Sequence, residues 1–271
     1  MSVIAPLRRL LEEPSLQGLD PDSPEFTEAH RRLVQRKELV RLVFADFCRR
    51  SRRAEERYFS GSATGVRVEL GSGAGLMKEL YPDVITSDVK VLPFVDVVVR
   101  GEELPFRDGT VRAIYGINVF HHLSDTEAFF REMIRVVAPG GGCVLIEPYY
   151  GPIARVLFKH LFTTESYDLK ASSWQRHDRG RPASVANQAL SYVILRRDRR
   201  LFEARFPELR LVADEPHTHL SYLVSGGVNF RQLVPVSVGR VVGSIERAVP
   251  FLNPVFALQH TIVIRRDAPN A

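Results

Sequence analysis

The stretch from Val66 to Asp88 constrains this chain most, because it can be read as only a few kinds of local structure. Val66 to Leu70 is an apolar run suited to a buried strand, and Gly71-Ser72-Gly73-Ala74-Gly75 follows without a break. Leu76 to Leu80 then has helical character, and Asp83 to Asp88 reads as a second strand ending in a carboxylate. Strand, glycine turn, short helix and strand make half of a nucleotide-binding βαβ unit. Glycines tolerate positive φ and let a ligand approach bare backbone amides, here at a helix N-terminus where partial positive charge collects. Asp88 lies 17 residues beyond Gly71, where the second strand ends beside the first. An ionised carboxylate there suits the two hydroxyls of a ribose. The turn is G-x-G-x-G rather than the dinucleotide spacing G-x-G-x-x-G, so it need not hold a pyrophosphate.

The rest of the chain continues the alternation. Val95 to Val99 is a β-branched run expected as a parallel strand buried on both faces. Val111 to Ile117 is the fourth strand, with Asn118 to Leu123 at its carboxyl end. Ser124-Asp125-Thr126-Glu127 has capping-box spacing, so a helix is expected from there until Pro139 to Gly142 stop it, and Cys143 to Glu147 makes the fifth strand. Residues 151–162 and 187–206 read as helical, Leu209 to Val212 opens a sixth strand, and Phe256 to Arg265 suits a last one. The expectation is an α/β fold, a doubly wound Rossmann-like sheet of seven strands.

Before that core, residues 1–22 read as an irregular lead-in. Ser23-Pro24 starts a helix to about residue 52, apolar on one side through Leu33, Val40, Val43 and Phe47, and basic on the other through Arg31, Arg32, Arg36, Lys37, Arg41, Arg49, Arg50, Arg52 and Arg53. The basic side is either a clamp for an anionic partner or a solvated face interleaved with Glu28, Glu38 and Asp46. No aromatics alternate with these arginines, so base stacking is not indicated. The division expected is 1–58 for this lead-in and basic helix and 59–271 for the main domain. Residues 163–187 and 217–255 are expected as a cap over the strand ends, the latter being too apolar for a solvated loop. A lipid-touching amphipathic element is the alternative for that segment.

Composition adds limits. With 271 residues, 45% hydrophobic and 25% charged, the chain has room for one substantial core. The excess of five positive charges is small and partly local to Arg31 to Arg57, so it does not indicate nucleic acid. Cys48 and Cys143 have no metal-type spacing and fit a reducing compartment. No His, Asp and Cys cluster has ligand spacing, so no metal is expected. Met1 to Leu11 is interrupted by Pro6 and reads as no signal peptide, and the longest uncharged run, Ala248 to Ile264, is too short and too polar to span a bilayer. The expected location is cytoplasmic, with peripheral contact at an inner membrane surface if the cap faces lipid.

Several of these segments resemble, in order and spacing, motifs of the type 11 group of class I S-adenosylmethionine (SAM) dependent methyltransferases, related to ubiquinone/menaquinone C-methyltransferases. They are Glu69 to Gly75, Glu103-Leu104-Pro105-Phe106 with Asp108-Gly109, His121-His122-Leu123, and Val136 to Gly141. The resemblance covers roughly residues 60–150. It implies SAM as cofactor, held by Glu69, Gly71, Ser72, Gly73, Asp88, Val89, Gly101, Glu102, Asn118 and Val119. Two positions depart from the pattern. Arg100 stands where an Asp that contacts adenine is common, which shifts adenine to the backbone of Gly101 and Glu102 or to Glu102 itself. Arg112 stands where the fourth strand usually opens Phe-Asp-Ala. Val185 to Leu190, Ser225 to Val228 and the long cap also resemble uncharacterised methyltransferases of bacterial surface-polysaccharide gene clusters, which points to a sugar or lipid-linked glycan acceptor.

A hydroxyl acceptor needs a general base at the strand ends. His122, after the fourth strand, is the first candidate, and Glu147, after the fifth, is the second. His177 and His217 in the cap are weaker ones. The leading expectation is methyl transfer to oxygen of a small or lipid-linked acceptor. A catalytically silent binding or scaffold protein of the same fold is the alternative that the departures at Arg100 and Arg112 raise. A nucleic-acid methyltransferase is a third, though Asn118-Val119-Phe120-His121 is not the Asn/Asp-Pro-Pro-Tyr/Phe motif of base-modifying enzymes.

Overall fold

The structure, a computed structural model, describes residues 10–175 and 186–268. Seven strands form one sheet: β1 (Val66–Leu70), β2 (Val84–Asp88), β3 (Val97–Val98), β4 (Val111–Ile117), β5 (Val137–Pro148), β6 (Leu209–His217) and β7 (Gln259–Arg266). Their order is β3-β2-β1-β4-β5-β7-β6, parallel except for β7, which runs antiparallel to both β5 and β6. This is the doubly wound, Rossmann-like sheet of seven strands expected from the sequence. The order reverses beside β1 and β4, the place where such sheets bind ligands.

Side chains alternate along the central strands and supply two cores. Ile114, Leu145, Ile262 and Ile264 face a layer that includes Phe129, Phe130 and Met133 of α4 (Thr126–Val136), and Trp174 and Phe202. Tyr115, Val144 and Val263 face the other way, onto Val40, Ala45, Cys48 and Ala54 of α2 (Glu38–Tyr58) and Leu76 and Met77 of α3 (Leu76–Leu80). A period of two on strands with apolar residues on both faces requires helices on both sides, and the chain provides them.

The single helix expected from 24 to about 52 is two helices. Ser23 caps α1 (Pro24–Arg36) by accepting from the Phe26 amide at 3.1 Å. Lys37 is then extended, at φ −89° and ψ 99°, before α2 begins. The break places the Lys37 ammonium in a buried position, 2.6 Å from Glu13 and bonded to the carbonyl of Phe230. An apolar stripe cannot reveal such a break, since both helices carry it. The arginines of the basic face are largely engaged. Arg36 meets Glu13, Arg41 meets Glu79, Arg50 meets Asp46, and Arg31 lies over the Phe94 ring. These contacts occupy part of the set of cations that the clamp reading would use.

Other expectations shift by position. β3 is two residues at the sheet edge with Val98 half exposed, not a doubly buried strand over 95–99. Pro139 to Gly142 do not end α4, which stops at Val136; they lie inside β5, in a bulge where pairing to β4 steps from Val137 to Gly142. The cap of α4 is Asp125, accepting from the Ala128 amide, rather than Ser124. Residues 187–206 include a π-helical turn at Val193–Arg197 and a short helix at Arg199–Arg205. Between β6 and β7 come three helices, here α7 (Leu220–Ser225), α8 (Val236–Ala248) and α9 (Asn253–Phe256), as expected for an insertion before the last strand. α5 (Pro152–His160) follows β5.

Candidate functional site

A cavity of about 570 Å³ opens at the carboxyl ends of β1, β2 and β4, within the range of small-ligand sites. Its floor is the glycine turn. Gly71, Gly73 and Gly75 have φ of +62°, +46° and +74°, and a Cβ on Gly71 would stand 2.6 Å from Val119 Cγ2. Ser72 locks the turn to β2, donating its amide to the Ser87 carbonyl at 2.8 Å and accepting from the Ser87 amide at 3.0 Å. Asp88 is buried at the rim, its Oδ1 accepting from the Lys90 amide at 3.0 Å. All ten residues expected to hold the cofactor line this one cavity.

Whether they fit that cofactor can be asked of the wall itself. Glu69 Oε2 and Asn118 Oδ1 are buried acceptors with no partner among the described residues. Burial pushes the Glu69 carboxyl up to about 8, with Asp88 adding to the shift, and a cation brought beside it would reverse that. Asn118 is one of two non-glycine residues with positive φ among the described residues, at 52°, a conformation that clusters at functional sites. Unsatisfied acceptors, bare amides and a rim carboxylate suit a ligand that carries an ammonium, a sulfonium and a ribose.

Of the two departures from the family pattern, Arg100 lines the cavity and pairs through its backbone with Glu103, and Arg112 has a carboxylate partner. Arg112 donates from Nε to Glu55 at 2.5 Å, so the fourth strand opens on an ion pair to α2. Glu102 Oε1 accepts from the Ser124 amide and hydroxyl and from the Asp125 amide at 2.8 to 3.2 Å. Burial opposes its ionisation, yet these donors hold its carboxyl below the ordinary range. Glu102 therefore fixes the loop after β4 while facing the cavity.

The catalytic candidates separate. His122 lines the cavity, its Nε2 3.4 Å from Glu165. Glu147, the second candidate, is not among the residues that line it. Fully buried, it accepts from the Val119 and Phe120 amides at 2.9 and 2.8 Å and bonds Nδ1 of His121. His121 in turn meets Glu165 through Nε2 at 3.1 Å. Burial alone would lower the His121 pKa, but Glu147 and then Glu165 outweigh it and push it up to about 10. His217 is buried with both ring nitrogens on Thr218 and Thr261, which rules it out as a base. His177 lies outside the described residues. Ser191, His260 and Asp214 make contacts in the order of a hydrolase triad, at 3.1 and 2.6 Å, yet Ser191 is 1% exposed and does not line this cavity.

Sequence reasoning missed the roof. The segment read as an irregular lead-in crosses the cavity: Glu13 donates its amide to the Asn229 carbonyl, Arg231 donates to that of Leu11, and Glu12 bridges Phe230. Leu16, Phe26 and His30 join Phe158, Tyr222 and Phe230 in the wall. Lys90 fastens this roof to the cofactor rim, reaching Thr27 Oγ1 at 2.9 Å and the Ser23 carbonyl at 3.2 Å. Of the cap at 163–187, Thr164 and Glu165 line the cavity, whereas Trp174 packs into the α4 layer and donates to Asp198. Glu165 sits in a polar stretch with no local motif, so nothing in its sequence context singled it out.

Comparison with known proteins agrees with this placement. A family described as "Methyltransferase domain" matches residues 68–145, from β1 into β5. Norajmaline N-methyltransferase of Rauvolfia serpentina is 46% identical over 43 residues. That stretch is 16% of this chain and 15% of the plant enzyme, so the chain matches under one sixth of that relative's length. Among solved structures, a SAM dependent methyltransferase from Archaeoglobus fulgidus has 15% identity and a TM-score of 0.48, covering 82% of this chain and 93% of that one. Geranyl diphosphate C-methyltransferase from Streptomyces coelicolor has 15% identity and a TM-score of 0.46, covering 95% and 89%. The match at residues 68–145 takes in the glycine turn, the rim carboxylate and the paired histidines, so it is this part of the chain that is similar to the methyltransferase-domain family.

Proposed function

We propose that the chain transfers a methyl group from SAM to an oxygen of a small or lipid-linked acceptor, a glycan being the acceptor the sequence favours. The observation that carries this reading is the single cavity running from the glycine turn and Asp88 to His122 and Glu165, walled on its far side by Phe158, Phe162, Tyr222 and Phe230. Bound at the turn, SAM supplies an electrophilic methyl on a sulfonium. The chain's part is alignment and exclusion of water. The amides of the turn and Asp88 hold the nucleoside end. The roof of residues 11–30 shuts off solvent. An acceptor hydroxyl laid against His122 and Glu165 would meet side chains whose chemistry can take its hydrogen bond.

Calorimetry tests the reading. The wild type is expected to bind SAM and S-adenosylhomocysteine in the micromolar range and to ignore NAD. Asp88→Ala should weaken SAM about ten- to a hundred-fold, the loss of charge-assisted bonds worth roughly 1.5 to 3 kcal/mol. Release of S-adenosylhomocysteine on addition of free sugars, polyprenyl-linked sugars or phenols then identifies the acceptor. Folded protein that binds no SAM would overturn the reading. Binding without turnover across that panel would favour the silent scaffold.

A lipid-linked acceptor is supported by α8. Its small residues face inward: a Cβ on Gly239 would lie 2.4 Å from Leu39. Its larger ones face out, with Val238, Val241 and Ile245 between 46% and 59% exposed and Phe251 beyond the helix at 76%. No described helix is long and apolar enough to cross a membrane, so contact here would be at the surface. The protein is expected to float with anionic vesicles, and Val241→Glu with Ile245→Glu should abolish flotation without changing SAM affinity. Wild type that stays unbound would leave only soluble acceptors.

A further inference from the structure

Two histidines and a carboxylate converge where the acceptor would lie. His121 and His122 occupy the 3₁₀ turn Phe120–His122 after β4, and Glu165 comes from the segment after α5. Donor atoms of all three lie within 4.8 Å of one another, and all three line the cavity. Glu165 is 3.1 Å from His121 Nε2 and 3.4 Å from His122 Nε2. Ligands of a tetrahedral ion with bonds of about 2.0–2.1 Å stand roughly 3.3–3.4 Å apart, close to the distance at which each imidazole already meets one of the two Glu165 oxygens.

A second observation concerns what stands behind the histidine. Metal-bound imidazoles are held through their other nitrogen by a carboxylate, which sets the tautomer and aims the ring. His121 has that partner in Glu147, fully buried and itself fixed by the amides of Val119 and Phe120. His121 Nε2 is thereby presented toward the cavity on a rigid support. The cluster also brings two carboxylates, Glu147 and Glu165, to two imidazoles, and a dication would take the place between His121 Nε2 and Glu165 that a proton otherwise holds.

We propose that His121 Nε2, His122 Nε2 and Glu165 form a divalent cation site whose remaining coordination position faces the acceptor side of the cavity. Two imidazoles and one carboxylate suit Zn²⁺ or a similar borderline ion, and suit Mg²⁺ or Ca²⁺, which prefer all-oxygen sites, poorly. The fourth position would hold and orient an oxygen of the acceptor, and the cation rather than His122 would then lower that oxygen's pKa. This role rests on the methyltransferase reading; occupancy by a cation does not.

The test is titration of the full, untagged chain with Zn²⁺ and, separately, Co²⁺, with Mg²⁺ as control and SAM titrated in parallel. One Zn²⁺ per chain is expected at micromolar affinity or tighter, and Co²⁺ should show the intense visible bands of a four-coordinate site. His122→Ala and Glu165→Gln should each weaken Zn²⁺ at least tenfold and leave SAM affinity within about twofold, which shows that the fold and the nucleoside site persist. A wild type that binds SAM but no Zn²⁺, or variants that bind Zn²⁺ as tightly as wild type, would overturn the proposal. Zn²⁺ binding lost in the variants while wild type binds no SAM would uphold the cation site and sink the methyltransferase reading instead.

Discussion

Gly71→Ala is expected to weaken SAM about a hundred-fold or more, the largest loss of any single methyl added to this chain's cofactor wall. Two causes combine. Gly71 has φ +62°, where an L-residue costs roughly 1–2 kcal/mol. The new Cβ would also stand 2.6 Å from Val119 Cγ2, and Val119 cannot withdraw freely because its amide is held by Glu147. The turn must therefore move, taking with it the bare amides that the ligand meets. A loss of about 2.7 kcal/mol is a hundred-fold in affinity. Gly109→Ala separates the two causes, since Gly109 has φ +66° with no heavy atom within 4 Å of its would-be Cβ and lies away from the cavity. That variant should lose the same 1–2 kcal/mol of stability in a denaturant melt yet bind SAM as wild type does. SAM affinity within threefold of wild type in Gly71→Ala would refute the geometry.

The contrast between these two glycines also indicates what a sequence can and cannot disclose. Gly71 was legible because local backbone chemistry and its spacing to Asp88 define the turn without reference to distant residues. The same holds for β4, β2 and the insertion before β7, where patterns of period two or 3.6 are complete within one segment. Lys37 was not legible, since the break it makes between α1 and α2 depends on Glu13 and the Phe230 carbonyl, 24 and 193 residues away. The roof was not legible for the same reason: residues 11–13 pair with 229–231, and neither segment carries a periodic pattern. Glu147 looked like a candidate base because strand ends are where bases sit, but three donors claim it before any substrate could. His121, His122 and Glu165 meet across 44 residues, a convergence that no spacing rule encodes.

Long-range convergence is also what makes Glu55 the costliest side chain to remove. Glu55→Ala is expected to destabilise the protein by about 3–5 kcal/mol, the range for breaking a buried ion pair from one side. The carboxylate is 1% exposed and gathers Arg67 Nη2 at 2.9 Å, Arg112 Nε at 2.5 Å and the Tyr115 hydroxyl, tying α2 to β1 and β4. Removing it leaves two guanidinium groups and a phenol facing one another below the sheet. Asp46→Ala, which breaks a partly exposed pair with Arg50, should by comparison cost about 1 kcal/mol or less. The sign with pH follows from the carboxyl itself. Burial would raise the Glu55 pKa, but hydrogen bonds from Arg67, Tyr115 and Arg112 outweigh it and hold the group below its ordinary 4.5. A folded-state pKa below the unfolded one gives stability that is fully present above about 4.5 and is lost as pH falls through the folded value. The gap between wild type and Glu55→Ala in urea melts should thus be constant near neutrality and narrow below pH 4.5. Glu55→Gln, which keeps an acceptor without the charge, should fall between them. A gap that is small at pH 7, or that stays unchanged under acid, would show that the arginines find water or other acceptors and that α2 is held to the sheet by its apolar face alone.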